Sequence, residues 1–266
     1  MTWFDSHCHL EADVDIADLE VKLAERSVGG LINIGTTMET SRRSPVVAKR
    51  VKDAIPGLLV GASLGIHPHD GAEVAGASYS EFDELIGTTK EEYPELLVGI
   101  CECGLDYYYD YCDRKVQRAA FVSQIESAVK YDLPIIIHTR DAWEDTFAIL
   151  DEFPEHRYVL HCFTGGPSEV ERLLSYNVVI SFSGVVTFKK SLENQEAAKI
   201  CPLERMIVET DAPYLTPTPF RGKPNNPSLV AVTGSFIADL KGIAVDSFAN
   251  TTTQNALSFF KMAPVL

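Results

Sequence analysis

Short apolar runs alternate with stretches of helical spacing from one end of the chain to the other. The runs at 2–4, 31–34, 58–64, 96–101, 134–137, 157–160, 178–182 and 205–208 read as buried parallel strands. Between them, Ile16, Leu19 and Leu23 recur at helical spacing, and residues 38–52, 79–93, 141–153, 168–176 and 192–200 are compatible with helix. The clearest helix covers 114–131, with Asp113 as its N-cap and Ala119, Val122, Ile125 and Val129 along its apolar face. A Pro-rich stretch at 212–227 predicts a long loop, and 228–240 and 246–260 predict two closing helices. Eight strands with helical crossovers predict an α/β fold, a single (β/α)8 TIM barrel over residues 1–266. No linker, low-complexity tract or short repeat divides it. The competing arrangement is an open doubly wound sheet, which would not bring the ends of strands 1, 4, 5, 6 and 8 around one pocket.

Those five strand ends carry residues that make good metal ligands: His7 and His9, Glu102, His138, His161 and Asp211. In a (β/α)8 barrel all strand C-termini open on one face, so the six would converge in one mouth. Four imidazoles and two carboxylates exceed what one tetrahedral zinc needs. They suit two divalent ions sharing a bridging carboxylate, an arrangement that hydrolyses phosphate esters. Glu102, on a central strand, is the natural bridge, and a solvated strand end is its rival reading. A lone His-x-His often faces water, and a lone buried His is usually structural. Here each is answered by further donors at equivalent strand ends.

The polar residues around these six are less decided. Asp5 alternates with His7 and His9 on one face and would orient an imidazole or a loop. Asp211, at the rim, can touch one ion and take a proton from water, which with Glu102 makes it a catalytic candidate. Glu209 shares its face but lies deeper, where it would hold hydrogen bonds. Asp106, in a Tyr-rich turn, either positions substrate or caps the next element. Arg140 contacts a phosphate or pairs with Asp141 or Glu144. Arg221 and Lys223 offer two cations beside the ions, against the alternative of a solvated loop. His67 and His69 contact substrate or are structural, because six ligands already satisfy two ions.

Net charge of −15 weighs against a protein that coats long nucleic acid, but not against one acting on a strand end, since bound cations invert the field in the pocket. No apolar run approaches the roughly 20 residues of a membrane span, and no basic-then-apolar leader opens the chain. A cytosolic protein with no membrane contact and no obligate protein partner is expected. The six cysteines lack the spacing of a disulfide scaffold or a zinc clip and are read as reduced thiols, with Cys8 pointing away from the metal face. Four histidines suit zinc, manganese, iron or cobalt better than magnesium.

Several ordered motifs carry a resemblance that covers nearly the whole chain. They are Asp5-Ser6-His7-Cys8-His9-Leu10, Gly65-Ile66-His67-Pro68-His69, Glu102-Cys103-Gly104-Leu105-Asp106, His138-Thr139-Arg140-Asp141, His161-Cys162-Phe163-Thr164-Gly165, Glu209-Thr210-Asp211-Ala212-Pro213 and Arg221-Gly222-Lys223. With these the chain resembles the TatD-type metal-dependent deoxyribonucleases, within the amidohydrolase-like TIM barrels. The resemblance implies that His7, His9, Glu102 and Asp211 surround one ion and Glu102, His138 and His161 the other. It also implies a 3′-to-5′ exonuclease on single-stranded DNA ends, supported by magnesium or manganese. Cys101 and Asn225-Asn226 depart from the pattern without touching the ligands. The alternative reading is an ester or amide hydrolase of the same barrel, such as an aminoacyl-tRNA deacylase. A metal-binding scaffold without activity is the third reading, and the complete ligand set argues against it.

Overall fold

The computed structural model of the chain describes residues 2–74 and 78–262. Its strands are β1 (Trp3–Cys8), β2 (Val28–Ile34), β3 (Leu59–Leu64), β4 (Leu97–Asp106), β5 (Ile135–Arg140), β6 (Arg157–Leu160), β7 (Asn177–Phe182) and β8 (Met206–Val208). They form one sheet in chain order, and every pairing is parallel. Helices α1 (Ile16–Glu25), α2 (Met38–Ala54), α3 (Ser78–Glu92), α4 (Arg114–Tyr131), α5 (Trp143–Leu150), α6 (Pro167–Leu173) and α7 (Leu192–Ile200) occupy the crossovers. Two more, α8 (Val230–Lys241) and α9 (Val245–Phe259), follow the last strand. The chain leaving β8 meets β1 at a parallel bridge between Cys8 and Ala212, and Asp211 N donates to His7 O at 2.9 Å. The sheet therefore closes at the rim that carries the expected ligands. Sequential strand order of this kind is the (β/α)8 barrel, and it rules out the doubly wound sheet, whose order reverses at a switch point.

Two apolar layers hold the barrel. Phe4, Ile32, Val98, Ile136, Val159 and Ile207 fill the interior, and Leu257 and Phe260 pack against them from the C-terminal end of the chain. Leu31, Ile135, Tyr158 and Ile180 face outward into the layer shared with the helices. Burial on both faces explains why the strands read as continuous apolar runs rather than as alternating ones. Among the described residues no single helix is long and apolar enough to cross a membrane.

Two details differ from the reading of the pattern. Strands β1, β4 and β5 run on through Cys8, Asp106 and Arg140, so His7, Glu102 and His138 lie within strands and not just beyond them. Their polar groups are satisfied by one another across the barrel mouth, so pairing need not stop at the last apolar residue. Gly104, at φ +133°, makes this possible for β4, because a Cβ there would stand 2.0 Å from His138 O.

Helix α4 has its expected bounds, and Asp113 accepts from Lys115 N at 2.8 Å as the expected cap. Its buried face, however, is Gln117, Ala120, Phe121, Gln124, Ile125 and Ala128, while Ala119 and Val129 are exposed and Val122 is half-buried. The rotation turns the two glutamines inward, where they bind backbone of the loops at the barrel mouth.

Candidate metal centre

The mouth holds a cavity of about 1050 Å³ whose floor is the donor cluster. His7 and His9 project from the end of β1, and their Nε2 atoms stand 3.2 Å apart. Asp211 Oδ1 lies 3.3 Å from His9 Nε2 and 3.6 Å from His7 Nε2. Glu102 occupies the centre, and its two oxygens look to different neighbours. Oε1 lies 2.8 Å from His161 Nε2, 3.1 Å from His138 Nδ1 and 3.7 Å from His67 Nε2. Oε2 lies 3.6 Å from His7 Nε2 and 3.9 Å from His9 Nε2. Three sets of ligand atoms each fall within 4.8 Å of one another: His7, His9 and Asp211; His7, Glu102 and His161; His67, Glu102 and His138. All six residues expected as ligands are thus brought together. His67 joins them, although the sequence reading placed it among substrate-contacting or structural residues.

A ring of hydrogen bonds fixes these side chains. Buried Glu209 lies with Oε1 3.2 Å from His161 Nδ1 and accepts at 2.6 Å from Cys162 N, which leaves His161 Nε2 for the centre. Ser181 donates to its other oxygen at 2.5 Å. Asp5 accepts from Thr210 N at 2.8 Å and from Thr210 Oγ1 at 2.6 Å, so it ties the chain just before Asp211 to β1. Asp106 caps the turn that follows it and touches His138. Its Oδ1 accepts from Tyr108 N and Tyr109 N at 3.0 and 3.1 Å, and its Oδ2 sits 3.1 Å from His138 Nε2. Two residues that sequence reasoning missed support the loops from below. Gln117 accepts from Asp106 N at 2.8 Å and donates to Cys112 O at 2.9 Å. Gln124 accepts from Ile66 N at 2.8 Å and donates to Ile66 O at 3.1 Å. Gly65 must be glycine, since a Cβ would stand 2.1 Å from the Cys101 carbonyl carbon.

Burial and charge divide the imidazoles. Burial, aided by the charge of His161, pushes His7 below the ordinary histidine value, and burial takes His67 down to about 3. Elsewhere burial is outweighed: Asp211 raises His9, Asp106 and Glu102 raise His138, and Glu102 with Glu209 raises His161 well above the usual range. Histidines 161, 138 and 7 hold the Glu102 carboxyl well below its usual value against burial, and His9 and His7 lower Asp211 in the same way. Ionised carboxylates facing imidazole nitrogens at these distances are the donor set of a divalent-cation site, and a cation would replace the protons the cluster otherwise holds. His69 Nε2 adds a buried nitrogen that lies 3.2 Å from Asp106 Oδ2 without a hydrogen bond to it.

The basic residues are distributed differently from expectation. Arg140 lines the cavity, and its guanidinium forms no ion pair with Asp141 or Glu144; it lies over the rings of Tyr108 and Tyr109, 3.9 and 4.7 Å from their centroids. Arg221 and Lys223 do not reach the cavity wall. Arg221 stacks on Phe188 at 4.0 Å and donates to Thr216 O at 3.4 Å, while Thr216 Oγ1 donates to Lys223 O at 2.6 Å, so the loop folds onto itself. Arg43, on α2, lines the cavity instead, and no motif marked it in the sequence.

The family model of TatD related DNases matches residues 4–261. The chain belongs to the TatD family. The uncharacterized metal-dependent hydrolase YabD of Bacillus subtilis is 34% identical over 264 residues, covering 97% of this chain and 99% of the relative. A second uncharacterized metal-dependent hydrolase, YcfH of Escherichia coli, is 36% identical, covering 96% and 94% of the two chains. Among solved structures, the TatD homologue YJJV of Escherichia coli superposes with a TM-score of 0.85 at 25% identity, covering 98% of each chain. A TatD-family hydrolase from Entamoeba histolytica, at 20% identity and a TM-score of 0.83, shares the fold. The protein is accordingly a TatD-family, metal-dependent hydrolase.

Proposed function

We propose that this TatD-family hydrolase uses two divalent cations to cleave phosphodiester bonds of DNA, removing nucleotides from the 3′ ends of single strands. The observation that carries the reading is Glu102, whose two oxygens face separate groups of ligand atoms, as a carboxylate bridging two ions must. Bound there, the cations would supply Lewis-acid charge to the phosphate and acidity to an attacking water. Asp211 lies at the rim with its carboxyl held below the usual range by His9 and His7, which supports it as the acceptor of the proton that such a water would lose. Arg140 lines the cavity and, among the described residues, forms no ion pair with a carboxylate, which suits a phosphate oxygen. In the reaction the water oxygen bonds to phosphorus, the bond from phosphorus to the upstream 3′-oxygen breaks, and that oxygen takes a proton. By donor type the imidazoles of His138 and His161 beside Glu102 favour zinc or manganese over magnesium, and metal analysis names the ion.

The test is a time course with end-labelled single-stranded DNA, beside labelled RNA and an aminoacyl ester, with and without chelator. Stepwise shortening of DNA from its 3′ end, abolished by chelator, is expected. Ester turnover with intact DNA would move the protein to the other hydrolase class.

A further inference from the structure

We propose that four exposed tyrosines form two base-stacking walls on opposite sides of the donor cluster, so that the single strand is held by its last two nucleobases as well as by phosphate. The proposal rests on the nuclease reading above and specifies how it selects unpaired ends. Tyr108, Tyr109 and Tyr111 are 58%, 44% and 70% exposed, and Tyr214 is 62% exposed. Among the described residues these are the exposed large aromatics. Tyr109 and Tyr214 line the cavity, and Tyr108 and Tyr111 pack on Tyr109. A large ring left in water gains nothing from the core, so its position at a site calls for a ligand with an apolar face.

The first wall is built in advance of any ligand. Tyr109 and Tyr111 stack with centroids 5.2 Å apart and planes at 18°, and Tyr108 meets Tyr109 edge-on at 4.8 Å. Arg140 lies over Tyr108 and Tyr109, and His69 packs edge-on against Tyr109 and Tyr111. Asp106 and Gln117 pin the backbone of this loop, as described above. The neighbouring Tyr107 shows what a structural tyrosine looks like here: its hydroxyl donates to Asp145 at 2.5 Å and its ring lies under Arg114. None of the four exposed hydroxyls has a hydrogen bond of that kind to another described residue.

The second wall is Tyr214, edge-on to His9 at 6.1 Å on the Asp211 side of the cluster. Attacking water and departing 3′-oxygen stand on opposite sides of phosphorus. With Asp211 taking the water's proton, the strand that keeps the 3′-oxygen leaves past His138 towards Tyr108, Tyr109 and Tyr111. The penultimate base therefore meets that wall and the terminal base meets Tyr214. Nucleobases stack on aromatic rings with little regard to sequence, and a paired base cannot, which gives a preference for frayed or single-stranded ends.

Fluorescence of 2-aminopurine, which falls when the base stacks, reads this directly. The probe is a single-stranded oligonucleotide carrying 2-aminopurine at the last or next-to-last position, with CH2 in place of the final bridging 3′-oxygen to prevent cleavage. It is titrated with the wild-type protein in magnesium. Quenching is expected at both positions. Tyr214→Ala should relieve it at the last position only, and the joint change of Tyr108, Tyr109 and Tyr111 to Ala at the next-to-last only, each weakening binding about 10- to 100-fold. Phe at the same positions should restore both quench and affinity. A strand lacking the corresponding base should already bind as weakly to wild type and be indifferent to the substitution. If the natural strand is cut but quench and affinity survive all these changes, the stacking proposal fails and the nuclease reading stands. If wild type neither binds nor cuts single-stranded DNA, both fail.

Discussion

At Glu102 two carboxylate oxygens face different donor groups, so one truncation should empty both. Glu102→Ala is expected to lose bound metal and activity together while far-UV circular dichroism keeps the barrel signal; metal analysis of the purified variant decides, and two retained ions with normal turnover would remove Glu102 from the site. Asp211→Asn keeps the shape and removes the base. Turnover should drop about 10²-fold or more with little change in DNA affinity, and single-turnover rates beside binding constants separate the two effects. Protonation at this scale also has a sign. His9, His138 and His161 hold protons above the ordinary histidine value of about 6.5, so they stabilise the cation-free fold at low pH, and that contribution fades as pH rises through their folded values. Cations must displace those protons, so cation binding should release them and tighten as pH rises above that value. Calorimetric titration in two buffers of different ionisation enthalpy counts the protons. A count of zero would mean that these imidazoles are already neutral.

Between residue and barrel stand the elements that hold the mouth in shape, and α4 is the one whose contribution can be isolated. Gln117 serves Asp106 N, Asp106 O and Cys112 O, at 2.8, 3.1 and 2.9 Å. Gln117→Ala removes all three bonds, the two to Asp106 in buried surroundings, so unfolding stability should fall by about 1–3 kcal/mol, and cation affinity should fall with it because Asp106 holds His138. Urea unfolding and metal titration of the same variant test both; a stability loss with unchanged cation affinity would show that the loop keeps its geometry without α4. This element also shows where sequence stops being legible. The convergence of the six expected ligands could be read because each follows an apolar run, and a barrel sends all such ends to one place. Gln117 could not, because a polar residue on a helix reads as solvent-facing, and Ala119, Val122, Ile125 and Val129 make an apolar stripe as regular as the true buried face. The strand ends of β1, β4 and β5 were hidden for a related reason. Polarity there signals a partner across the mouth, and only the closed barrel shows that partner.

Charge is a property of the whole molecule, and on the proposed nuclease reading its value of −15 sets how a polyanion would be captured. Repulsion acts at long range, so binding would have to come from cations held in the mouth and from the few basic residues that reach it. By sequence, Arg221 and Lys223 looked like those residues, because they follow the last strand on the ligand-bearing face. The loop instead closes on itself through Phe188 and Thr216, while Arg140 lines the cavity and its guanidinium pairs with no carboxylate among the described residues. A salt series discriminates the two. Removing one cation that neutralises a phosphate lowers the slope of log affinity against log salt by roughly 0.7 for single strands. Arg140→Ala should flatten the slope by about that amount and weaken binding at every salt concentration, while the joint change of Arg221 and Lys223 to Ala should leave it unaltered. Measurements at fixed metal concentration on the uncleavable strand keep turnover out of the comparison. A flattened slope in the Arg221 and Lys223 variant, with Arg140→Ala unchanged, would mean that the strand leaves over the β8–α8 loop, and the path past His138 would have to be abandoned.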